Sequence, residues 1–220
     1  SIWNDISPFI KYGMIQNNDF YEKVKDTIIF DSSADQKTTI PDYIKRNSET
    51  LPDKVLYCAD KDTQATYVDL CKEQGLEVLF LQGLIDTHFI QFLESKDTKV
   101  KYVSIDSELS DLLVDESKAS KVVDQDNKTS DDKLIDIFKK ELGNDQLKVE
   151  VKSLKSESIS GMVLEDEYMK RMKSMSQFMP GGKDTPAFGD QTLVVNSNNT
   201  LVKNILTLSA QSTQGDLVNK

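Results

Sequence analysis

Three short apolar runs decide the fold: Lys54-Val55-Leu56-Tyr57-Cys58-Ala59, Leu76-Glu77-Val78-Leu79-Phe80-Leu81 and Val100-Lys101-Tyr102-Val103-Ser104-Ile105. Each is rich in strand-forming residues and too short for a helix of ordinary length. Between the first two, Asp62 is a candidate cap for a helix whose apolar side holds Tyr67, Val68, Leu70 and Cys71, closed by Gly75. Between the last two, Ile85, Phe89, Phe92 and Leu93 fall at i, i+4, i+7 and i+8. Strand–helix–strand–helix–strand is the order that builds a parallel sheet with covering helices. Residues 51–106 are therefore expected to form a small α/β/α unit with a short, mostly parallel sheet.

On the N-terminal side, residues 1–50 read as helical. Trp3, Ile6, Phe9 and Ile10 lie on one helix face, and Gly13 is expected to break it. Phe20-Tyr21, Val24 and Ile28 make a second amphipathic stretch. Thr38-Thr39-Ile40-Pro41-Asp42-Tyr43 carries a threonine cap and a first-turn proline. On the C-terminal side, residues 106–132 hold Asp106, Glu108, Asp111, Asp115, Glu116, Asp124, Asp126, Asp131 and Asp132 against Lys118, Lys121 and Lys128. So much charge with so little apolar surface predicts a partly flexible connector over 107–130, helical at most around Leu109, Leu112 and Leu113.

Residues 131–220 read as a second, α+β domain. Asp131 or Asp132 is expected to cap a helix bearing Leu134, Ile135, Phe138 and Leu142, ended at Gly143. Leu147, Val149 and Val151 alternate with Lys148, Glu150 and Lys152, the period of a half-buried strand. Ile159 to Leu164 is a second strand, then comes a helix to Met179, and Leu193-Val194-Val195 is a third strand before a last helix with Leu201, Val202, Ile205 and Leu208. The fold class is α/β plus α+β. The chain opens at Ser1 in an apolar pattern without a signal peptide and stops just after a helix start at Asp216, so it is read as an excised piece of a longer protein whose last domain is truncated.

Composition narrows the function. With 38% hydrophobic and 29% charged residues and a net charge of −10, the chain repels phosphate backbones, so nucleic acid is not an expected partner. No apolar run comes near the ~18 residues needed to cross a bilayer, so no membrane is expected. Cys58 and Cys71, with a single histidine, form no metal framework and read as buried thiols of a reducing cytoplasm. On that reading the sequons at Asn127 and Asn198 are chance matches. His88 borders the apolar face of its helix with no nucleophile signature nearby. Gly182-Lys183-Asp184-Thr185 fails as a phosphate loop because Asp184 stands where Ser or Thr is required. Carboxylates show no calcium-loop spacing. No catalytic, cofactor or metal residue is expected in this stretch.

Methionine is the unusual feature. Met162, Met169, Met172, Met175 and Met179 fall within residues 162–179. On a helix, Tyr168, Met169, Met172, Met175, Phe178 and Met179 cover about half the circumference, with Lys170, Lys173, Ser174 and Gln177 opposite. Three readings stand side by side: an ordinary core face, an exposed surface whose pliant thioethers fit partners of varied shape, or a helix lying on a membrane.

Several segments resemble one family. Gly75 to Leu81 followed by Leu84-Ile85-Asp86 and the helix to Phe92-Leu93 resembles the small middle subdomain of heat-shock protein 90 chaperones. Trp3-Asn4-Asp5-Ile6-Ser7-Pro8-Phe9-Ile10-Lys11-Tyr12-Gly13 is similar to the preceding helical segment in the bacterial high-temperature protein G branch. Thr39 to Ile44 is similar to the family's "T-L-x-D-Y" segment, and Lys54-Val55-Leu56-Tyr57 to its "K-I-Y-Y". Residues 131–220 resemble its C-terminal domain. The resemblance implies a cytoplasmic, homodimeric, ATP-driven chaperone of unfolded or partly folded clients, with ATP and Mg bound by an N-terminal ATPase domain outside these residues. It implies client-binding roles for Tyr168, Met169, Met172, Met175, Phe178 and Met179, and for His88 and Phe89, where His88 departs from the aromatic frequent in that branch. The alternatives are a scaffold module of the same chaperone with its methionine helix buried, and a nucleotide-binding α/β protein using the loops after the 51–106 strands.

Overall fold

A computed structural model describes residues 2–107, 109–115, 117, 129–143, 147–176 and 191–209, with only the backbone at 109, 110 and 173–176. It is a mixed α/β chain that divides into two units. Of the described residues, the first holds 2–105 and 171–176. The second begins at Asp106.

The first unit is organised by its sheet. Strands β1 (Phe30–Ser32), β2 (Lys37–Thr38), β3 (Lys54–Cys58), β4 (Leu79–Phe80) and β5 (Lys101–Ser104) lie in the order β2-β1-β4-β3-β5. As the hydrophobic runs predict, β3 is parallel to both β4 and β5, with Val55 opposite Tyr102 and Tyr57 opposite Leu79. Burial on both faces explains the unbroken apolar run: Val55 to Cys58 are all buried. The wholly helical reading of residues 1–50 is corrected, because β1 and β2 form a hairpin that adds to this sheet antiparallel to β4. Its turn is closed by the Ser32 N–H donating to the Gln36 carbonyl, with Asp35 in the left-handed region at φ 54°. The sheet is thus mixed rather than mostly parallel.

Helices α1 (Ile2–Gln16) and α2 (Asn18–Val24) precede the sheet. Gly13 does not break α1. A Cβ there would meet the Phe20 ring at 3.1 Å, so glycine lets α2 close on α1. The buried side of α1 is also not the expected one. Phe9 is 77% exposed, whereas Met14 and Lys11 are buried. Lys11 runs its stem inward and donates to Asp86 Oδ1 at 2.5 Å, with its ammonium 5.3 Å from the Phe30 ring centroid.

Helix α3 (Ile40–Asn47) follows its sequence signals, with Thr39 Oγ1 accepting from the Asp42 N–H and Pro41 in the first turn. It buries Tyr43, whose hydroxyl donates to the Glu77 carbonyl at 2.7 Å and accepts from the Leu56 N–H. Helix α4 (Ala65–Glu73) is not capped by Asp62; Asp60 instead accepts from the Asp62 N–H, and Gln64 precedes the helix. Gly75 at φ +69° ends it, as expected. Helix α5 (Asp86–Lys96) leads to β5. Along the outer side of β5, the Tyr102 N–H donates to Glu94 Oε1 and its carbonyl accepts from Arg171, which itself pairs with Glu94 at 2.5 Å.

In the second unit, β8 (Gln191–Asn196) is the middle strand, parallel to β6 (Lys148–Lys152) and antiparallel to β7 (Gly161–Glu165). Gly161 is needed where β7 meets β8, since a Cβ there would lie 2.7 Å from the Val194 carbonyl oxygen. Helices α7 (Ser130–Leu142) and α9 (Thr200–Ser209) bring Leu134 and Val202 onto Val149 and Val195 to form the core. Thr129, not Asp131 or Asp132, caps α7, in a box closed by the Asp132 carboxylate. Gly143 at φ +58° ends it. The start of the acidic stretch is built in as well: α6 (Leu109–Leu113) leads into Val114, which bridges to Leu154, and Leu113 is buried. Residues 107 and 109–115 are therefore part of this unit, while 108, 116 and 118–128 fall outside the described residues.

Candidate functional site

The methionine-rich segment forms α8 (Glu167–Ser176). Asp166 starts it by accepting from the Met169 N–H at 3.1 Å. Tyr168 is 67% exposed and Met172 47%, one turn apart on the same face, while Met169 is half-buried. Lys170 pairs with Asp106, and the Glu167 carboxylate accepts from Ser107 Oγ at 2.8 Å. The Tyr168–Met172 edge thus presents an aromatic ring and a thioether to solvent. Met175 lies on α8 with its side chain outside the described residues, as do Phe178 and Met179 entirely. Met162 is a buried residue of β7.

At α5 the two expected contacts separate. His88 is exposed. Phe89 is 0% exposed, stacked 6.4 Å from Phe30 and 6.3 Å from Phe92, and is removed from the surface by its place in the core. Leu84, in the turn before α5 and four residues ahead of His88 in sequence, is 80% exposed. Leu84 enters the sequence reading only within a segment that resembles the family, and no periodicity marks it because it precedes the helix. A further apolar cleft runs between Ile6, Phe9, Gly13 and Phe20.

The loops after the parallel strands are already occupied. The Ala59 and Asp60 N–H groups donate to Gln64 Oε1 at 2.8 and 3.1 Å, and the Gly83 N–H donates to Asp86 at 2.8 Å. Backbone donors that would cradle a phosphate are therefore spent on side chains, beside the carboxylates of Asp60 and Asp86. Both cysteines are buried and free, and burial, with Cys58 alongside, pushes the Cys71 thiol up to about 12. Asn198 is buried and donates to the Leu154 carbonyl, which leaves its sequon closed to a glycan. Among the described residues no group of His, Cys, Asp and Glu could hold a metal ion, and no helix is long and apolar enough to cross a membrane.

The fold and surface define a two-unit α/β protein whose exposed features in the expected positions are apolar side chains. The Hsp90 protein family model matches residues 1–220. The chain belongs to the Hsp90 family. The chaperone protein HtpG of Bacteroides fragilis is 31% identical over 214 residues, covering 93% of this chain and 31% of that protein. HtpG of Porphyromonas gingivalis is 27% identical over 224 residues, covering 98% of this chain and 32% of that one. The chloroplastic heat shock protein 90-5 of Arabidopsis thaliana is 30% identical over 164 residues. The chain spans about a third of the length of these two bacterial relatives.

Proposed function

We propose that this chain is the client-holding part of an ATP-dependent, homodimeric chaperone of the cytoplasm. ATP and Mg belong to an N-terminal ATPase domain outside these residues, and the stretch described has no catalytic role of its own. Unfolded or partly folded clients are held by the Tyr168–Met172 edge of α8, extended by Met169, Met175, Phe178 and Met179. His88 with Leu84 forms a secondary contact. The observation that carries this reading is the solvent exposure of Tyr168 and Met172 within a methionine-rich segment of an Hsp90-family chain. Thioethers and an aromatic ring gain roughly 25 cal/mol per Å² of apolar surface removed from water, without demanding one partner geometry.

The test is binding of a fluorescently labelled, destabilised model protein to this chain and to a Met172→Ser/Met175→Ser variant with unchanged circular dichroism. The variant is expected to bind at least about tenfold more weakly, with little salt dependence in either case. Equal binding by both would move the contact to Leu84 and His88. No binding by either would favour the scaffold reading.

A further inference from the structure

On the first unit, α2, the start of α3, the end of α5 and the approach to β5 enclose a cavity of about 430 Å³. That volume lies within the range of small-molecule sites. Ile28, Ile44, Leu93 and Val100 supply its apolar wall. Tyr21 and Tyr102 line it too, and they are only 8% and 4% exposed. Among the described residues neither hydroxyl has a hydrogen-bond partner in the protein, and neither is sealed from solvent, so both are open to a guest in the cavity. Burial pushes both phenols above their ordinary range, so each stays a neutral hydroxyl able to donate and to accept.

The charges around the opening set the sign of the ligand. Lys25 is committed to Glu22 at 2.6 Å. Lys96 donates to the Asn18 amide oxygen at 2.5 Å and lies 5.5 Å from the Tyr21 ring centroid. Among the described residues Asp26 is exposed and makes no ion pair, although its charge acts on Lys25, and Asp97 spends one oxygen on the Lys99 N–H and makes no ion pair. The lining holds three carboxylates, Glu22, Asp26 and Asp97, against the two ammoniums of Lys25 and Lys96, so a guest meets an apolar wall, two hydroxyls and an excess of negative charge.

We propose that this cavity is a binding site for a small organic monoamine. Its aromatic or alkyl body lies on Ile28, Ile44, Leu93 and Val100, and its ammonium is held by the Tyr21 and Tyr102 hydroxyls with Asp26 and Asp97. The site is independent of the client surface on α8.

Tryptamine is the probe, titrated into the 220-residue chain and followed by methyl chemical shifts, with indole-3-propionate as the same ring bearing a carboxylate. Tryptamine should give saturable shifts at Ile28, Ile44 and Val100, and the carboxylate should bind at least tenfold more weakly. Tyr102→Phe removes a hydroxyl that has no partner, so the variant should melt at or above the parent temperature and yet bind tryptamine about tenfold more weakly. Tyr21→Phe should behave alike, and Asp97→Asn should weaken binding several-fold. The proposal falls if tryptamine shows no saturable shift at millimolar concentration, if both probes bind equally, or if Tyr102→Phe binds as the parent does. It falls equally if Tyr21→Phe and Tyr102→Phe both unfold the chain, because the hydroxyls then serve the fold.

Discussion

The two units solve the same problem, holding helices onto a small sheet, with different chemistry. The first buries charge. Lys11 and Asp86 are 7% and 3% exposed and meet each other among Phe30 and Phe89, and Glu77, at 9%, takes Arg46 and Asn47. The second buries amides. Asn196, fully enclosed, accepts from the Leu154 and Asn198 N–H groups and donates to the Ser156 and Ile159 carbonyls. Asn199 ties the Glu157 carbonyl and accepts from the Leu201 and Val202 N–H groups at the start of α9. The difference follows from the sheets. With five strands, the first unit has aromatic surface enough to surround an ion pair. With three, the second has a narrow core and uses asparagines to fold an irregular segment, residues 153–160, back onto its middle strand.

Trp3, the one tryptophan of the chain, donates to the Ile29 carbonyl within the first unit, so its fluorescence reports that unit alone. Asp86→Ala should have the largest effect. It strands a buried ammonium at a cost of about 3–5 kcal/mol, seen as an earlier Trp3 transition in urea, whereas Lys11→Met/Asp86→Leu should recover most of the loss. If the single variant unfolds at the parent midpoint, the ion pair is not what holds α1. Asn196→Ala should come next, at about 3 kcal/mol, because four backbone groups lose their partner. Amide exchange should rise over residues 153–160 with the Trp3 transition unmoved; an equal shift of Trp3 would show that the units unfold as one. Tyr43→Phe should cost about 1–2 kcal/mol by freeing the Glu77 carbonyl and the Leu56 N–H.

The smallest effects are electrostatic and local. Burial pushes the Glu77 carboxyl up, but hydrogen bonds from Arg46, Asn47 and Ser32 outweigh it and hold the group below its usual range. A carboxyl lowered on folding contributes stability above its unfolded value and loses it as pH falls through its folded value. Glu77→Gln should therefore be the less stable protein at pH 7, by about 1 kcal/mol after allowing for solvent around Arg46, and the gap should narrow as pH falls into the acid range. An equal gap at both pH values would remove the charge from the account. Thr129→Ala should cost about 1 kcal/mol, read as faster amide exchange in the first turn of α7.

What was legible in the sequence was what local chemistry controls. The three parallel strands, the Thr39–Pro41 helix start and the glycine stops at Gly75 and Gly143 lie where their patterns place them. The misses share a cause, which is that a partner distant in sequence decided the outcome. Phe9 and Lys11 exchange their expected places because Asp86 awaits the lysine. Gly13 stays helical because Phe20 needs the space. The β1–β2 hairpin is too short to show a period of two and exists because β4 offers an edge. The candidate surface was legible in type, from the clustering of methionines and Tyr168. It was not legible in membership: the apolar periodicity of α5 places Phe89 on the core face, where it lies, while the family resemblance implied a surface contact, and Leu84, in the turn before the helix, belongs to no periodic pattern.

The two side chains on Tyr102 have a consequence for association. An outermost strand normally offers its free amide and carbonyl to any extended polypeptide, which is how ordered proteins begin to aggregate. At Tyr102 the Glu94 carboxylate and the Arg171 guanidinium fill those two positions and neutralise each other, standing in for the residue of a neighbouring strand. This pair of opposite charges closes that register to any extended chain that approaches the edge.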